Sequence, residues 1–263
     1  VIHRFASDSA VTADESRVGT FHSRVDEGWS IGAQPNGGYL AATMLRAILA
    51  AGPEGQGPRL LTTHFLRPPA WGPAGIETRV ERAGGRVSTV SARMLQGEEV
   101  CAVALAALGS SRESVEIDEH AAMPYAAEPW ADAPVSDRAP AISHRYEFQL
   151  RDDPRESGRP VLGGRIRFRD GGAFDAPAVL AAADAWIPVL GVHAPGRLAV
   201  PTIALSVTFL RTVDPGTAPT ELACRFRTSV AAEGYAEEDG EVWGPDGALL
   251  AVSRQISAVL PSS

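Results

Sequence analysis

The chain has 263 residues (27.7 kDa), 44% apolar and 21% charged, enough apolar material for a sizeable core and too little charge for a disordered polymer. Acidic residues outnumber basic ones 32 to 24 and the net charge is −8, so the surface repels phosphate and no nucleic-acid partner is expected. No apolar run reaches the ~18 residues of a membrane helix, and the opening VIHRFASDSAVTADES lacks the apolar stretch of a secretory signal, so a cytoplasmic location away from membranes is expected.

In chain order, alternating polar and apolar residues predict strands near 18–25 and 28–33. Gln34-Pro35-Asn36-Gly37-Gly38-Tyr39 then leads into a predicted helix over Gly37 to Ala51. Asn36 is a good N-cap for it, and Gly52-Pro53 ends it. Leu40, Met44 and Ile48, with Leu45 and Leu49, recur at helical spacing. Strands follow near 59–67, 75–83, 86–96 and 98–108. Residues 111–142 are rich in Ala, Pro and acid and read as a linker. Beyond it the order repeats: strands near 144–151 and 163–169, then a helix over Ala176 to Leu190 with Asp175 as N-cap and Pro177 in its first turn. Strands near 202–211, 219–230, 233–243 and 248–260 complete the chain.

The repeat extends to letters. Leu61-Thr62-Thr63-His64-Phe65-Leu66-Arg67 and Leu205-Ser206-Val207-Thr208-Phe209-Leu210-Arg211 share L-x-x-x-F-L-R at an offset of 144 residues. Both helices are apolar almost all round and so belong inside. The expected fold is therefore α+β: a double hotdog, two curved antiparallel sheets each wrapped around one long central helix. The expected divisions are an N-terminal half at 1–110, the linker at 111–142 and a C-terminal half at 143–263.

Several chemistries are excluded by what is missing. All 24 basic residues are arginine, so there is no lysine for a Schiff base or a phosphate-binding GK[ST] loop. No G-x-S-x-G or H-E-x-x-H occurs. GPEGQG at 52–57 does not fit G-x-G-x-x-G and follows a helix rather than a strand. Cys101 and Cys224 sit in apolar runs and read as reduced, buried thiols. His3, His22, His64, His120, His144 and His193 show no ligand spacing, so no metal and no cofactor are expected. Trp71, Trp130, Trp186 and Tyr39 read as core or lid residues.

Asp184 is the sharpest candidate. It falls within Val179-Leu180-Ala181-Ala182-Ala183-Asp184-Ala185-Trp186-Ile187, on the helical face of Leu180 and Ile187. A carboxylate there costs several kcal/mol or takes up a proton, which suits a general base. A surface Asp at a kink before Pro188, or a buried Asp paired with an arginine, would look the same. The first helix carries no acid, so only one of two equivalent sites holds such a group. Asn36, Gly37, Gly38 and Tyr39 are the second candidate. Free amides at a helix start hold an oxyanion and glycines admit a ligand, although a tight turn into a capped helix needs the same residues. Thr202, Ser206 and Gln255 are weaker. Alternation puts Thr202, Ser206 and Thr208 on one strand face and Gln255 with Ser253 and Ser257, where most such residues meet water.

NGGYLAA at the first helix, THFLRP in its strand, AADAW in the second helix, PTIALSVTFLR after it and SRQISAV near the end resemble the acyl-CoA thioesterase II family. The resemblance covers roughly 15–110 and 140–260. It implies metal-independent hydrolysis of acyl-CoA, or of an acyl-carrier thioester, to a free acid and a thiol. It further implies a helix Asp, a strand Thr and a last-strand Gln that hold and activate water, matched by Asp184, Thr202 and Gln255. Ser206 is a fallback for Thr202. The family often carries an acid two residues after that Thr, where this chain has Ala204. The first-helix start near Gly38 and Tyr39 would polarise the carbonyl. Alternatives are a hydratase or dehydratase of the same fold, which wants a carboxylate–His pair, and a noncatalytic acyl-thioester-binding scaffold. Further association into a homo-oligomer is expected.

Overall fold

A computed structural model describes residues 3–113, 115, 117, 119, 123–125, 128–130, 135, 136, 139–194 and 198–261. The N-terminal half contributes β1 (Thr12–Ala13), β2 (Thr20–Val25), α1 (Gly37–Ala51), β3 (Gly57–Phe65), β4 (Gly72–Arg82), β5 (Val87–Gln96) and β6 (Glu99–Gly109). The C-terminal half contributes β7 (Tyr146–Asp152), β8 (Val161–Phe168), α2 (Ala176–Ala182), α3 (Val189–His193), β9 (Thr202–Phe209), β10 (Glu221–Arg227), β11 (Ala231–Ala232), β12 (Tyr235–Trp243) and β13 (Leu249–Ala258). Among the described residues no helix is long and apolar enough to cross a membrane. Much of the 111–142 segment, His120 included, lies outside the described residues.

The two halves share one sheet rather than building two. Its 13 strands run β1-β2-β4-β5-β6-β3-β9-β13-β12-β10-β8-β7, with β11 against β12. The join is the antiparallel pair β3/β9, in which Thr62 lies opposite Ser206, Leu61 opposite Val207 and Thr63 opposite Leu205. These are the residues of the internal sequence repeat. A pair of equivalent residues facing each other across antiparallel strands places a two-fold pseudo-axis between Thr62 and Ser206, whose hydroxyl oxygens are 2.9 Å apart. The strand order reads alike outward from this axis in both directions.

Helix α1 is buried on almost every face, and only Gly37, Arg46 and the last turn reach solvent. It packs on β3, β4, β5 and β6, and against α2 of the other half. The second helix departs from the sequence expectation. It does not run from Ala176 to Leu190 but stops at Ala182, and α3 begins only at Val189. Two physical causes are visible. Pro188 disfavours helical backbone in the residue before it and lacks the N–H that the Asp184 carbonyl would accept. That carbonyl instead accepts a hydrogen bond from the Asn36 side chain at 2.7 Å. Residues 28–33 also depart from expectation: Glu27–Trp29 is a 3-10 turn, followed by the two-residue strand Ser30–Ile31 paired to Gln34–Pro35. Trp29 stacks on Tyr39 at 5.6 Å and meets Phe5, Tyr146 and Phe168, an aromatic seam between the halves.

Candidate active site

The end of α2 and the start of α1 meet at this seam. Asp184 lies in the irregular turn after α2, where its amide bonds back three residues to Ala181 O at 3.1 Å. Ile187 is 53% exposed, so the helical face expected to join Leu180, Asp184 and Ile187 does not form. The Asp184 side chain nonetheless points inward. Its Oδ2 accepts from the Gly38 amide at 2.6 Å and from Asn36 Nδ2 at 3.1 Å. Both donors go to Oδ2, which leaves Oδ1 for another partner. Burial raises this carboxyl to about 6, opposed by the Gly38 and Asn36 hydrogen bonds.

Asn36, the single asparagine of the chain, is 3% exposed and serves both halves. Its Oδ1 caps α1 by accepting from Tyr39 N at 2.9 Å. Its Nδ2 donates to the carbonyl and the carboxylate of Asp184. Little room is left for a side chain at the two glycines beside it. A Cβ on Gly38 would lie 2.8 Å from Asp184 Cβ and 3.0 Å from Ala181 O. One on Gly37 would lie 3.0 Å from Phe65 Cζ and 3.1 Å from Asp184 Oδ2. Backbone, a carboxylate and an aromatic edge thus border the same small space.

A second polar chain approaches from the sheet. Thr202 Oγ1 donates to Gln255 Oε1 at 3.0 Å, and Gln255 Nε2 donates to Glu238 Oε1 at 2.8 Å. Glu238 Oε2 accepts the Val189 amide at 2.7 Å. Gln255 and Glu238 are both buried. Desolvation raises Glu238 to about 7, and the negative charge of Asp184 adds to it, so the two carboxyl groups sense each other.

Strand alternation alone misplaces some of these residues. Thr202 and Ser206 share a parity, but a bulge between Thr202 and Ala204 shifts the register of β9 on β13. Thr202 pairs with the buried Ser257 and turns inward, whereas Ala204 pairs with the exposed Ile256. Ser206 stays on the outer face, bonded to Thr62, and is not brought to the site. Gln255, Ser253 and Ser257 face the interior rather than water. Tyr39 is not brought to the carboxylate by its side chain. Its hydroxyl donates to the Asp8 and Arg24 carbonyls and accepts from Asp26 N. Glu238 escaped the sequence reading because it stands between Glu237 and Asp239 in a run that looks solvated. Its parity with Ala236, Gly240 and Val242 was the available signal. Among the described residues no three His, Cys, Asp or Glu side chains gather as metal ligands would.

Residues 25–109 match the family pattern "Acyl-CoA thioesterase N-terminal domain", and residues 118–259 match "Acyl-CoA thioesterase C-terminal domain". The chain belongs to the acyl-CoA thioesterase family. It is a thioester hydrolase whose substrate class is the acyl thioester. A hot dog-fold protein of unknown function from Alicyclobacillus acidocaldarius is 29% identical, with a TM-score of 0.88 and 100% of both chains covered. A candidate thioesterase II from Thermobifida fusca YX is 28% identical, with a TM-score of 0.83 over 98% of this chain and 99% of that one. The thioesterase-like protein TwmA of Talaromyces wortmannii is 37% identical over 91 residues, which span 34% of this chain and 26% of that protein.

Proposed function

We propose that this thioesterase hydrolyses acyl-CoA, or an acyl group carried on a related thiol, with Asp184 as general base for a water held by Thr202 and Gln255. The observation that carries this reading is the partly buried Asp184 carboxylate, 2.6 Å from the Gly38 amide at the start of the other half's helix. Raised to about 6, it is ionised at neutral pH yet basic enough to take a proton. With Oδ2 held by Gly38 and Asn36, Oδ1 receives the proton of the attacking water.

The water oxygen bonds to the thioester carbon while its proton passes to Asp184. The carbonyl oxygen gains the negative charge, and the Gly37 amide at the α1 N-terminus donates to it. The tetrahedral centre then collapses, the carbon–sulfur bond breaks, and the thiolate leaves and recovers the proton. A thiolate is stable enough to depart without a strong acid. General-base action accounts for about 10²–10⁴-fold of the rate and an oxyanion donor for about 10²–10³-fold. The Gly38 amide, already engaged by Asp184, positions the base rather than the oxyanion.

The test is thiol release from short-, medium- and long-chain acyl-CoA by the wild type and by Asp184→Asn. The expected outcome is a fall in kcat of about 10²–10⁴-fold at nearly unchanged KM. Undiminished hydrolysis by the variant rules out Asp184 as the base.

A further inference from the structure

Thr202 and Gln255 can hold water in two ways, because a hydroxyl and an amide each have two polarities. In one, Thr202 donates to Gln255 and offers its lone pairs to water. In the other, Gln255 donates to Thr202, and the hydroxyl proton points at water instead. Only the first polarity lets the water give one proton towards Thr202 and the other towards Asp184, leaving an oxygen lone pair free for attack. The choice between them is made by the next hydrogen-bond partner, beyond Gln255.

We propose that Glu238 is a positioning residue that sets this polarity and thereby the direction of the hydrolytic water. Above about pH 7, where the assays are run, the Glu238 carboxyl is ionised and has no proton to give. Both of its oxygens are committed to donors: Oε2 to the Val189 amide at 2.7 Å and Oε1 to Gln255 Nε2 at 2.8 Å. The Gln255 amide is therefore locked with its nitrogen towards Glu238 and its oxygen towards Thr202, which must donate to it at 3.0 Å. Glu238 lies directly opposite Gln255 in the β12/β13 ladder and is 8% exposed, so no bulk water relaxes the lock. An amide in place of Glu238 would reverse it. The fixed Val189 N–H would claim the oxygen of the new side chain and turn its NH₂ towards Gln255. Gln255 would then rotate, present its own NH₂ to Thr202 and invert the hydrogen bond there.

The inference rests on Thr202 and Gln255 holding the water, and an exchange of side chains tests it. Glu238→Gln is expected to lower kcat about 10- to 100-fold with KM within about twofold, since the water is misdirected while substrate contacts remain. Gln255→Glu is expected to fall similarly, because two carboxylates then face each other. The double exchange Glu238→Gln with Gln255→Glu restores the polarity: Gln at 238 donates to Glu at 255, whose other oxygen accepts from Thr202. It should return to within about tenfold of wild-type kcat, a rescue that a purely structural role would not produce. Wild-type kcat in Glu238→Gln overturns the inference, as does a folded double variant no faster than the slower single one. Asp184→Asn, assayed alongside, separates the two claims. An active Asp184→Asn sinks the catalytic reading, whereas an inactive one beside an unimpaired Glu238→Gln sinks only the role of Glu238.

Discussion

Two carboxyl groups are held above their ordinary range at the site: the partly buried Asp184, moved by desolvation from 3.8 to about 6, and the buried Glu238, moved from 4.5 to about 7. In the unfolded chain both return to ordinary values. Between about pH 4 and 7 the folded protein therefore binds more protons than the unfolded one, and these groups make stability fall as pH rises. Their contribution is fully present below the unfolded values and lost above the folded ones. Asp184→Asn removes one of the two charges. Urea unfolding at pH 8 should show the variant more stable than wild type by about 2–3 kcal/mol, with the gap closing towards pH 4. Equal stability at both pH values would mean that Asp184 carries no burial penalty. The stabilised but inactive variant would show folding energy held back at the site for chemistry.

At the scale of elements, the decisive contact is α1 against α2. Helix α1 begins with two glycines, poor helix formers, because the Asp184 turn presses on its first residues. Gly38→Ala would set a Cβ 2.8 Å from Asp184 Cβ and 3.0 Å from Ala181 O, both on atoms that cannot swing away. The expected cost is about 1–3 kcal/mol, read as a lower melting temperature together with reduced activity. Gly75→Ala, where an added Cβ meets nothing within 4 Å, is the matched control. A Gly38→Ala protein as stable and active as that control would show that the close approach is not needed. The short α2 follows from the same contact. Pro188 withholds its N–H, Asn36 supplies a substitute donor, and the freed turn lets Asp184 look at α1 instead of lying along a helix face.

On the scale of the whole molecule, the halves are bound by β3/β9 strand pairing, by α1 against α2 and by the aromatic seam around Trp29. Neither half contains the site alone. Gly37, Gly38 and Asn36 come from one, and Asp184, Thr202, Gln255 and Glu238 from the other. Separation would also expose β3 and β9 as bare strand edges, which promotes aggregation. Residues 1–110 and 111–263 produced together as two chains should co-purify and hydrolyse acyl-CoA. Each produced alone should aggregate or be inactive. Full activity from residues 111–263 alone would contradict the shared site.

Local chemistry and repetition made part of this molecule readable along the chain. The L-x-x-x-F-L-R repeat, the Asn36 cap and the apolar run of α1 pointed to two related halves. Asp184 stood out because a lone acid among alanines must be compensated by something in the fold. The remainder came from contacts between distant segments. A bulge in β9 turned Thr202 inward and left Ser206 outside, and bulges depend on the register of neighbouring strands rather than on local preference. Proline's missing donor became a site feature because an asparagine some 148 positions away filled it. Glu238 looked like part of a solvated acidic run until the β12/β13 ladder set it opposite Gln255. Each of these depends on a segment distant in the chain, which the local sequence does not name.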